Sequence, residues 1–397
     1  MSENFITDIS HSSDQPFPYH DVCIVGAGLS GSVMAERYAN QLHQSVLIVD
    51  KRNHIGGNCY DYVDAETNIR VSKYGAHLFH TNSDRVWDYV QQFSQWTPYQ
   101  HKVLGYIQGK HVPIPVNIDT VNILFNLNIS SSEEMDQWLH QEQVHYDHEP
   151  TNSEEMAMSR VGKRLYELIF KPYTFKQWAK YPKELGPEVT ARIPFRNDHN
   201  DLYFPNDIYQ ALPTHGYAAL FEHMIMNHPK IDISLNTDYF DVKHLLQCGI
   251  TYYTGPIDTY FADLGWPKLE YRSLQFERNV AFHTEYVQPL SVVNHPSLDT
   301  DFTRIVEYKH LLNQTSPHTV YFIERSTDDG EPYYPVPNDK NQELFEKYQS
   351  MAKKENGVYF VGRLANYKYF NMDQAILNAL ELFDSVVGDN DGTSMYS

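Results

Sequence analysis

Between Val22 and Tyr38 a short apolar run, VCIV, meets Gly26-Ala27-Gly28-Leu29-Ser30-Gly31 and passes at once into a helical stretch. This strand–turn–helix is the strongest constraint on the chain. Gly26 permits the tight turn, Gly28 lets backbone N–H groups approach a pyrophosphate, and Gly31 lets the helix pack closely on the strand. Leu29 and Ser30 open the helix, whose N-terminus presents a positive dipole end to an anion. A second apolar strand, Val46 to Val49, ends at Asp50, nineteen residues after Gly31. There an acid is placed to hydrogen-bond an adenosine ribose. The chain thus opens as a dinucleotide-binding β-α-β unit.

With 397 residues the chain is too long for one ordinary core,. A formal charge of −20 argues against nucleic acid or an acidic membrane as partner,. An anionic ligand then needs local Arg residues to overcome the global field. Thirty Tyr residues are a large supply of side chains that stack rings and hydrogen-bond phosphates, or simply pack half-buried,. Cys23, Cys59 and Cys248 are scattered without metal-like spacing, which reads as reduced thiols of a cytoplasmic protein with no disulfide framework and no zinc site,. No apolar run approaches the ~20 residues of a membrane span. Residues 1–19 read as a loose polar extension rather than a signal peptide.

Past Asp50 and Lys51, His54-Ile55-Gly56-Gly57-Asn58-Cys59-Tyr60-Asp61 adds a Gly-Gly pair where FAD proteins of the glutathione-reductase type bring backbone to the cofactor. Next, Tyr74-Gly75-Ala76-His77-Leu78-Phe79-His80 sets two His among Gly and aromatics, placed to line a flavin rather than to hold metal,. Ser83 caps a helix to Phe93, and His101 to Val116 reads as paired strands. Helices follow from 117 to 182. One of them starts at Asn152, runs into Lys171 and is interrupted by Pro172. Residues 179–201, rich in Pro and charge and holding Arg192, read as a candidate lid or a solvated loop,. Four β-rich stretches between 268 and 326 suggest an antiparallel sheet. Val358–Arg363 reads as a closing strand before a last helix.

These motifs, in this order, resemble one family: GAGLSG, IGGNCYD, YGAHLFHT, YQHKV, PYTFKQW, ARIPFR with LYF, YTGPID, TRIVEYKH, EPYYPV and GRLANYKYFNMD. The likeness is to UDP-galactopyranose mutases of the bacterial type and covers nearly everything after residue 20. It implies an α/β (α+β overall) fold. A Rossmann-like FAD-binding domain would come from 20–99, 216–265 and 355–390, and a helical domain from 117–182. An antiparallel sheet and substrate domain would come from 100–116, 183–215 and 266–354. The implied activity interconverts UDP-galactopyranose and UDP-galactofuranose without net redox change. Reduced FAD attacks the anomeric carbon through N5 and displaces UDP. The product would serve cell-surface polysaccharide synthesis. A homodimer and an external reductant, NAD(P)H or a reductase, are implied as well.

Carried over by position, Arg192 and Arg304 resemble the pair that clamps the diphosphate. Tyr203, one of Tyr333 and Tyr334, and Tyr369 resemble its tyrosine partners. Phe170, Tyr173, Thr174 and Trp178 resemble the uridine stretch, with Phe204 and Asn294 as further substrate contacts. His80 resembles the histidine beside flavin N5; His77, Gln100, His101 and Arg363 resemble neighbours of flavin and sugar; Glu324 resembles an acid of the same network. Cofactor contacts would come from Gly26, Gly28, Leu29, Ser30, Gly31, Asp50, Lys51, Gly57, Asn58, Ala76, His77, Val242, Arg363, Tyr369, Asn371, Met372 and Asp373.

Gln100, Asn371 and Ile169 depart from the pattern, where Asn, Asp and an aromatic are expected. His77, in place of the Arg of relatives acting on UDP-N-acetylgalactosamine, favours plain galactose. Competing readings are an FAD oxidoreductase of the amine-oxidase type, a nucleotide-sugar-binding protein without turnover, and an NAD-dependent dehydrogenase. The first leaves PYTFKQW and EPYYPV unexplained, the intact His80, Arg192 and Arg304 argue against the second, and the Gly-Gly pair and the closing motif disfavour the third; a mutase acting on a related UDP-sugar stays as a further alternative.

Overall fold

The computed structural model describes residues 15–191, 193–226 and 228–393, so Arg192 and positions 1–14 lie outside the described residues. Five parallel strands run in the order Ile231–Ser234, Val46–Val49, His20–Val25, Cys248–Tyr253 and Val358–Phe360. The first strand in sequence lies at the centre. All four residues of Val46–Val49 are buried, as expected of a strand covered on both faces,. Alternation divides their side chains. Val22, Ile24, Val46 and Ile48 face one cluster, under helices Leu29–Gln41, Gly216–Ile225 and Met372–Thr393. Cys23, Leu47 and Val49 face another, with Phe17 and a short helix, Tyr239–Val242.

For the described residues 15–19, Phe17 corrects the reading of residues 1–19 as loose; positions 1–14 of that reading lie outside the described residues. Phe17 is buried, and its N–H donates to the Leu245 carbonyl at 3.0 Å. The cysteine reading is corrected too. Cys23 and Cys248 form a disulfide with Cα atoms 5.7 Å apart, and Cys59 alone is free. They are 225 residues apart in sequence, and only the pairing of parallel strands brings them together.

A second sheet has seven strands: Tyr334–Pro335, Tyr271–Ala281, Thr319–Thr327, Arg304–Glu307, Val292–Asn294, Val103–Ile107 and Lys110–Ile114. Its pairings are antiparallel except Val292–Asn294 with Val103–Ile107, which are parallel, so the sheet is mixed rather than purely antiparallel. Helices Ile118–Phe125, Ser132–Glu142 and Ser153–Leu165 lie against it. Each starts at a side chain, Asn117, Ser131 or Asn152, that accepts an N–H three residues on,. Helices and sheet share one apolar cluster, in which Met135, Val161 and Leu165 meet Val103, Val292 and Val306. We propose the three-way division of the chain on this arrangement of sheets, with one exception. Tyr209–Pro213, assigned to the substrate part, pairs with Phe79–Thr81 and Trp96–Pro98 of the dinucleotide part.

The long helix is not interrupted at Pro172. Its ladder breaks earlier, at Gly162 (φ 77°, ψ 173°), and widens into a π turn over Tyr166–Phe170. Pro172 then falls in the first turn of helix Lys171–Trp178, where its missing N–H is not needed,. Several described residues of the 179–201 segment are anchored to helix Ser153–Leu165. The Ser153 N–H donates to the Leu185 carbonyl, the Ser153 hydroxyl to that of Gly186, and Leu185 and Val189 are buried. Nη1 of Arg160 donates to the carbonyls of Thr190, Ala191 and Ile193 at 3.0, 2.8 and 3.0 Å.

Gly162 has the positive φ that L side chains avoid, and a methyl there would collide with the Glu142 carbonyl,. Gly162→Ala should therefore destabilise the protein by about 1–3 kcal/mol, read from the midpoint of chemical denaturation. An unchanged midpoint would contradict this account of the break.

Candidate active site

Register in the seven-stranded sheet builds the floor of the site. Asn294 pairs with Arg304, and Arg304 pairs with Glu324, so three polar side chains stand side by side. Two residues along, on the same face, Ile114, Val103 and Val292 form an apolar row,. Above this floor lies a cavity of about 280 Å³. Its walls come from the Tyr74–His80 segment, the π turn and helix that hold Ile169 to Thr174, Tyr203–Phe204, and the Tyr334, Arg363 and Tyr369–Met372 region.

Glu324 is fully buried, and its Oε2 accepts from Nε of Arg304 at 2.5 Å. This bond occupies Nε and leaves the terminal amino groups of Arg304 as donors toward the cavity. Burial alone would lower the Arg304 pKa, but Glu324, Tyr173 and Tyr334 outweigh it and hold the guanidinium firmly charged. Burial pushes the Tyr173 phenol up, and it pushes Tyr334 up to about 12, with Tyr369 adding and Arg304 opposing. Both phenols are therefore O–H donors at neutral pH. Tyr334 stacks on Tyr369 at 5.2 Å, and the Arg363 guanidinium lies 5.1 Å from the Tyr369 ring.

Three histidines, His77, His80 and His101, line the same cavity. Burial lowers His77 to about 4 and His101 to about 3. Arg304 acts in the same direction on both, with Arg363 on His77 and His80 on His101. Both rings are neutral at pH 7, and Nδ1 of His77 donates to the Gly75 carbonyl at 2.8 Å. His80 stacks on Phe204 with centroids 3.6 Å apart, and its Nδ1 lies 2.5 Å from Asp207 Oδ2. Asp207 fixes the ring and leaves Nε2 for the cavity.

Of the residues singled out in the sequence, the cavity gathers Ala76, His77, His80, His101, Phe170, Tyr173, Thr174, Tyr203, Phe204, Asn294, Arg304, Tyr334, Arg363, Tyr369, Asn371 and Met372. Glu324 stands behind Arg304. Others lie elsewhere. Gln100 is exposed outside the lining. Trp178 is buried with Leu185, Val189 and Val336 behind Tyr334. Tyr333 is buried and turned toward Phe276, while its carbonyl accepts from Arg363. Val242 packs on the far face of the parallel sheet. Sequence reasoning missed Asp207, which nothing local marks because it lies 127 residues from His80. It also missed the apolar row, whose residues read as ordinary strand positions.

The glycine segments make a second feature, beyond the C-terminal ends of the central parallel strands His20–Val25 and Val46–Val49. A Cβ on Gly57 would stand 2.7 Å from the Gly28 Cα, so the two loops touch through bare backbone. Helix Leu29–Gln41 has no side-chain cap at its N-terminus, leaving N–H groups for a ligand,. Asp50 accepts from the N–H groups of Ala27 (2.7 Å) and Arg52 (2.8 Å), which braces the loop. Lys51 and Arg52 both pair with Glu331, and Arg52 donates to Asn58 at 2.9 Å. Thr81 donates to Oδ2 of Asp373, whose Oδ1 is buried without a partner. A bare-backbone cradle, an uncapped helix and an orphaned acceptor beside the cavity fit a flavin dinucleotide. Among the described residues no group of His, Cys, Asp or Glu could hold a metal ion, and no helix is long and apolar enough to cross a membrane.

Residues 168–369, about half the chain, match the sequence profile of the UDP-galactopyranose mutase family, and residues 24–93 match that of NAD(P)-binding Rossmann-like domains. A probable UDP-galactopyranose mutase of Klebsiella pneumoniae is 37% identical, covering 92% of this chain and 94% of that protein. A dTDP-fucopyranose mutase of Escherichia coli is 34% identical, covering 93% and 99%. A crystal structure of reduced UDP-galactopyranose mutase superposes with a TM-score of 0.72 at 17% identity, covering 94% of each chain. By sequence profile and by these relatives, the chain belongs to the UDP-galactopyranose mutase family of isomerases.

Proposed function

We propose that the protein interconverts UDP-galactopyranose and UDP-galactofuranose with FAD in its reduced form, feeding cell-surface polysaccharide synthesis. The observation that carries this reading is the Glu324–Arg304–Asn294 row beneath a cavity walled by tyrosines. FAD, when bound and reduced, would supply a nucleophilic N5 for displacement of UDP at the anomeric carbon. The chain's own residues do the rest. Gly28 and Gly57 offer bare backbone to the pyrophosphate, Gly26 makes the turn and Gly31 the close helix–strand packing that shape the loop, and Ala76, His77, Asn371, Met372 and Asp373 border the flavin,. Arg304, joined by Arg192, carries the charge that the diphosphate gains on leaving. Tyr203, Tyr334 and Tyr369 donate O–H bonds to the same oxygens. Tyr173, with Phe170 and Thr174, receives the uracil. His80, aligned by Asp207, and neutral His77 and His101 orient the detached sugar and offer acceptors to its hydroxyls. An external reductant, NAD(P)H or a reductase, a cytoplasmic setting and a homodimer belong to the same proposal.

A second reading is a 6-deoxyhexose carried on dTDP. The Val103–Ile114–Val292 row would accept a sugar or base methyl, and the E. coli relative is named for such a substrate. Purified protein reduced with dithionite and given UDP-galactofuranose or dTDP-fucofuranose separately decides by chromatography. Conversion of the UDP-sugar only after reduction is expected. Conversion of the dTDP-sugar alone would establish the second reading, and conversion of neither would remove both.

Arg304→Ala, made in a Glu324→Gln background so that no buried carboxylate is left unpaired, should retain flavin and lose about 10²–10³ in kcat. Unchanged turnover would refute the diphosphate role of Arg304.

The neutral histidines also give a pH dependence. His101 titrates near 3 in the folded chain and near 6.5 unfolded,. The unfolded chain therefore binds more protons as pH falls below about 6.5. Stability present above that pH is lost on acidification. From pH 7 to pH 5, His101→Gln should lose about 2 kcal/mol less than the wild type in denaturant unfolding. Equal losses would contradict a neutral His101.

A further inference from the structure

Helix Lys171–Trp178 and the loop after strand Val292–Asn294 both border the cavity, the helix through Tyr173 and Thr174 and the loop through Asn294 and Pro296. Lys176 joins them. Its Nζ donates to the carbonyls of His295 at 2.5 Å and Ser297 at 2.8 Å, and to the Thr300 hydroxyl at 3.0 Å. These are the three donors of an ammonium, each with an acceptor in one loop. The same nitrogen lies 5.9 Å from the Phe302 ring. The neighbouring Gln177, at the same end of the helix, ties it to the sheet as well, since its carbonyl accepts from Arg272 and from Ser326.

We propose that Lys176 is a positioning residue for nucleotide binding: it sets the gap between the helix bearing Tyr173 and the loop bearing Asn294, and thereby the width of the slot that takes the nucleotide. The inference rests on the mutase reading of the cavity. Oδ1 of Asn294 is buried without a hydrogen-bond partner; strand pairing with Arg304 and Gly105 holds its backbone, and Lys176 ties the next residue to the helix. A carbonyl-bound ammonium holds two backbone segments at a fixed separation without occupying the cavity. Lys176 does not line the cavity and touches no reacting atom.

The charged groups around Lys176 are Asp299 and Asp301, with His295 beside them. Burial brings the ammonium down to about 8, against the opposing pull of Asp301 and Asp299. Deprotonation removes one of its donors, so the strap weakens as pH rises through that value.

The test uses the flavin-loaded, full-length protein with UDP as ligand. Lys176→Met keeps the length of the side chain and removes the donors. Its Kd for UDP should rise about tenfold, while kcat at saturating substrate stays within about twofold. Lys176→Arg should recover most of the affinity. Wild-type KM should rise above about pH 8, and that of Lys176→Met should be high already and flat over the same range. Thr300→Val, which removes a single acceptor, gives a smaller loss of affinity and stands in if Lys176→Met does not fold. Unchanged Kd in the variants, or a fall in kcat equal to that in kcat/KM, would overturn the positioning role. A wild-type protein that binds no UDP would overturn the mutase reading, and this inference with it.

Discussion

The ion pair of Arg304 with Glu324 organises the rest of the site. A fully buried carboxylate is tolerated because a guanidinium answers it at 2.5 Å, and a guanidinium is held rigid inside an acidic protein because that carboxylate is fixed,. Sheet register places both, since Arg304 and Glu324 are directly opposite on neighbouring antiparallel strands and Asn294 lies on the other side of Arg304. With Nε committed to Glu324, the terminal amino groups have one orientation to offer. The tyrosines beside it remain protonated because burial resists their ionisation. Fixed charge and fixed O–H donors thus meet where a diphosphate would develop charge, in a chain whose formal charge is −20,.

The parallel sheet and the seven-stranded sheet depend on each other at this point. The glycine loops belong to the first, the guanidinium to the second. Arg52 and Lys51, just past Asp50, pair with Glu331, two residues before Tyr333. A contact at the dinucleotide end thereby braces the loop that carries Tyr334 into the cavity. Arg363 makes a comparable link, lying over Tyr369 and donating to the Tyr333 and Phe370 carbonyls. The two sheets are bound by several such contacts around one cavity.

Much of this was legible in the sequence where the signal is local. Gly26, Gly28, Gly31 and the Gly56-Gly57 pair announce bare backbone, and Asn117, Ser131 and Asn152 announce helix starts; each depends on neighbours a few residues away. Family resemblance brought Arg304, Tyr173 and His80 to one site before any coordinates. What stayed hidden depends on distant partners. Asp207 aligns His80, and Cys23 reaches Cys248, only because the sheets bring them together. Trp178 and Tyr333 carry motif signals, yet packing turns both away from the cavity, while Tyr334, next in sequence to Tyr333, faces it as alternation along a strand requires,. Pro172 reads as a break but falls in the first turn of a new helix, where its missing N–H is not needed,.

The most direct test of the account is a crystal structure of the flavin-loaded protein with UDP. The account predicts diphosphate oxygens at hydrogen-bonding distance, about 2.7–3.1 Å, from the terminal amino groups of Arg304, with Glu324 still on Nε and uracil against Tyr173. UDP seated away from Arg304, or Arg304 turned out of the cavity with Glu324 unpaired, would contradict it.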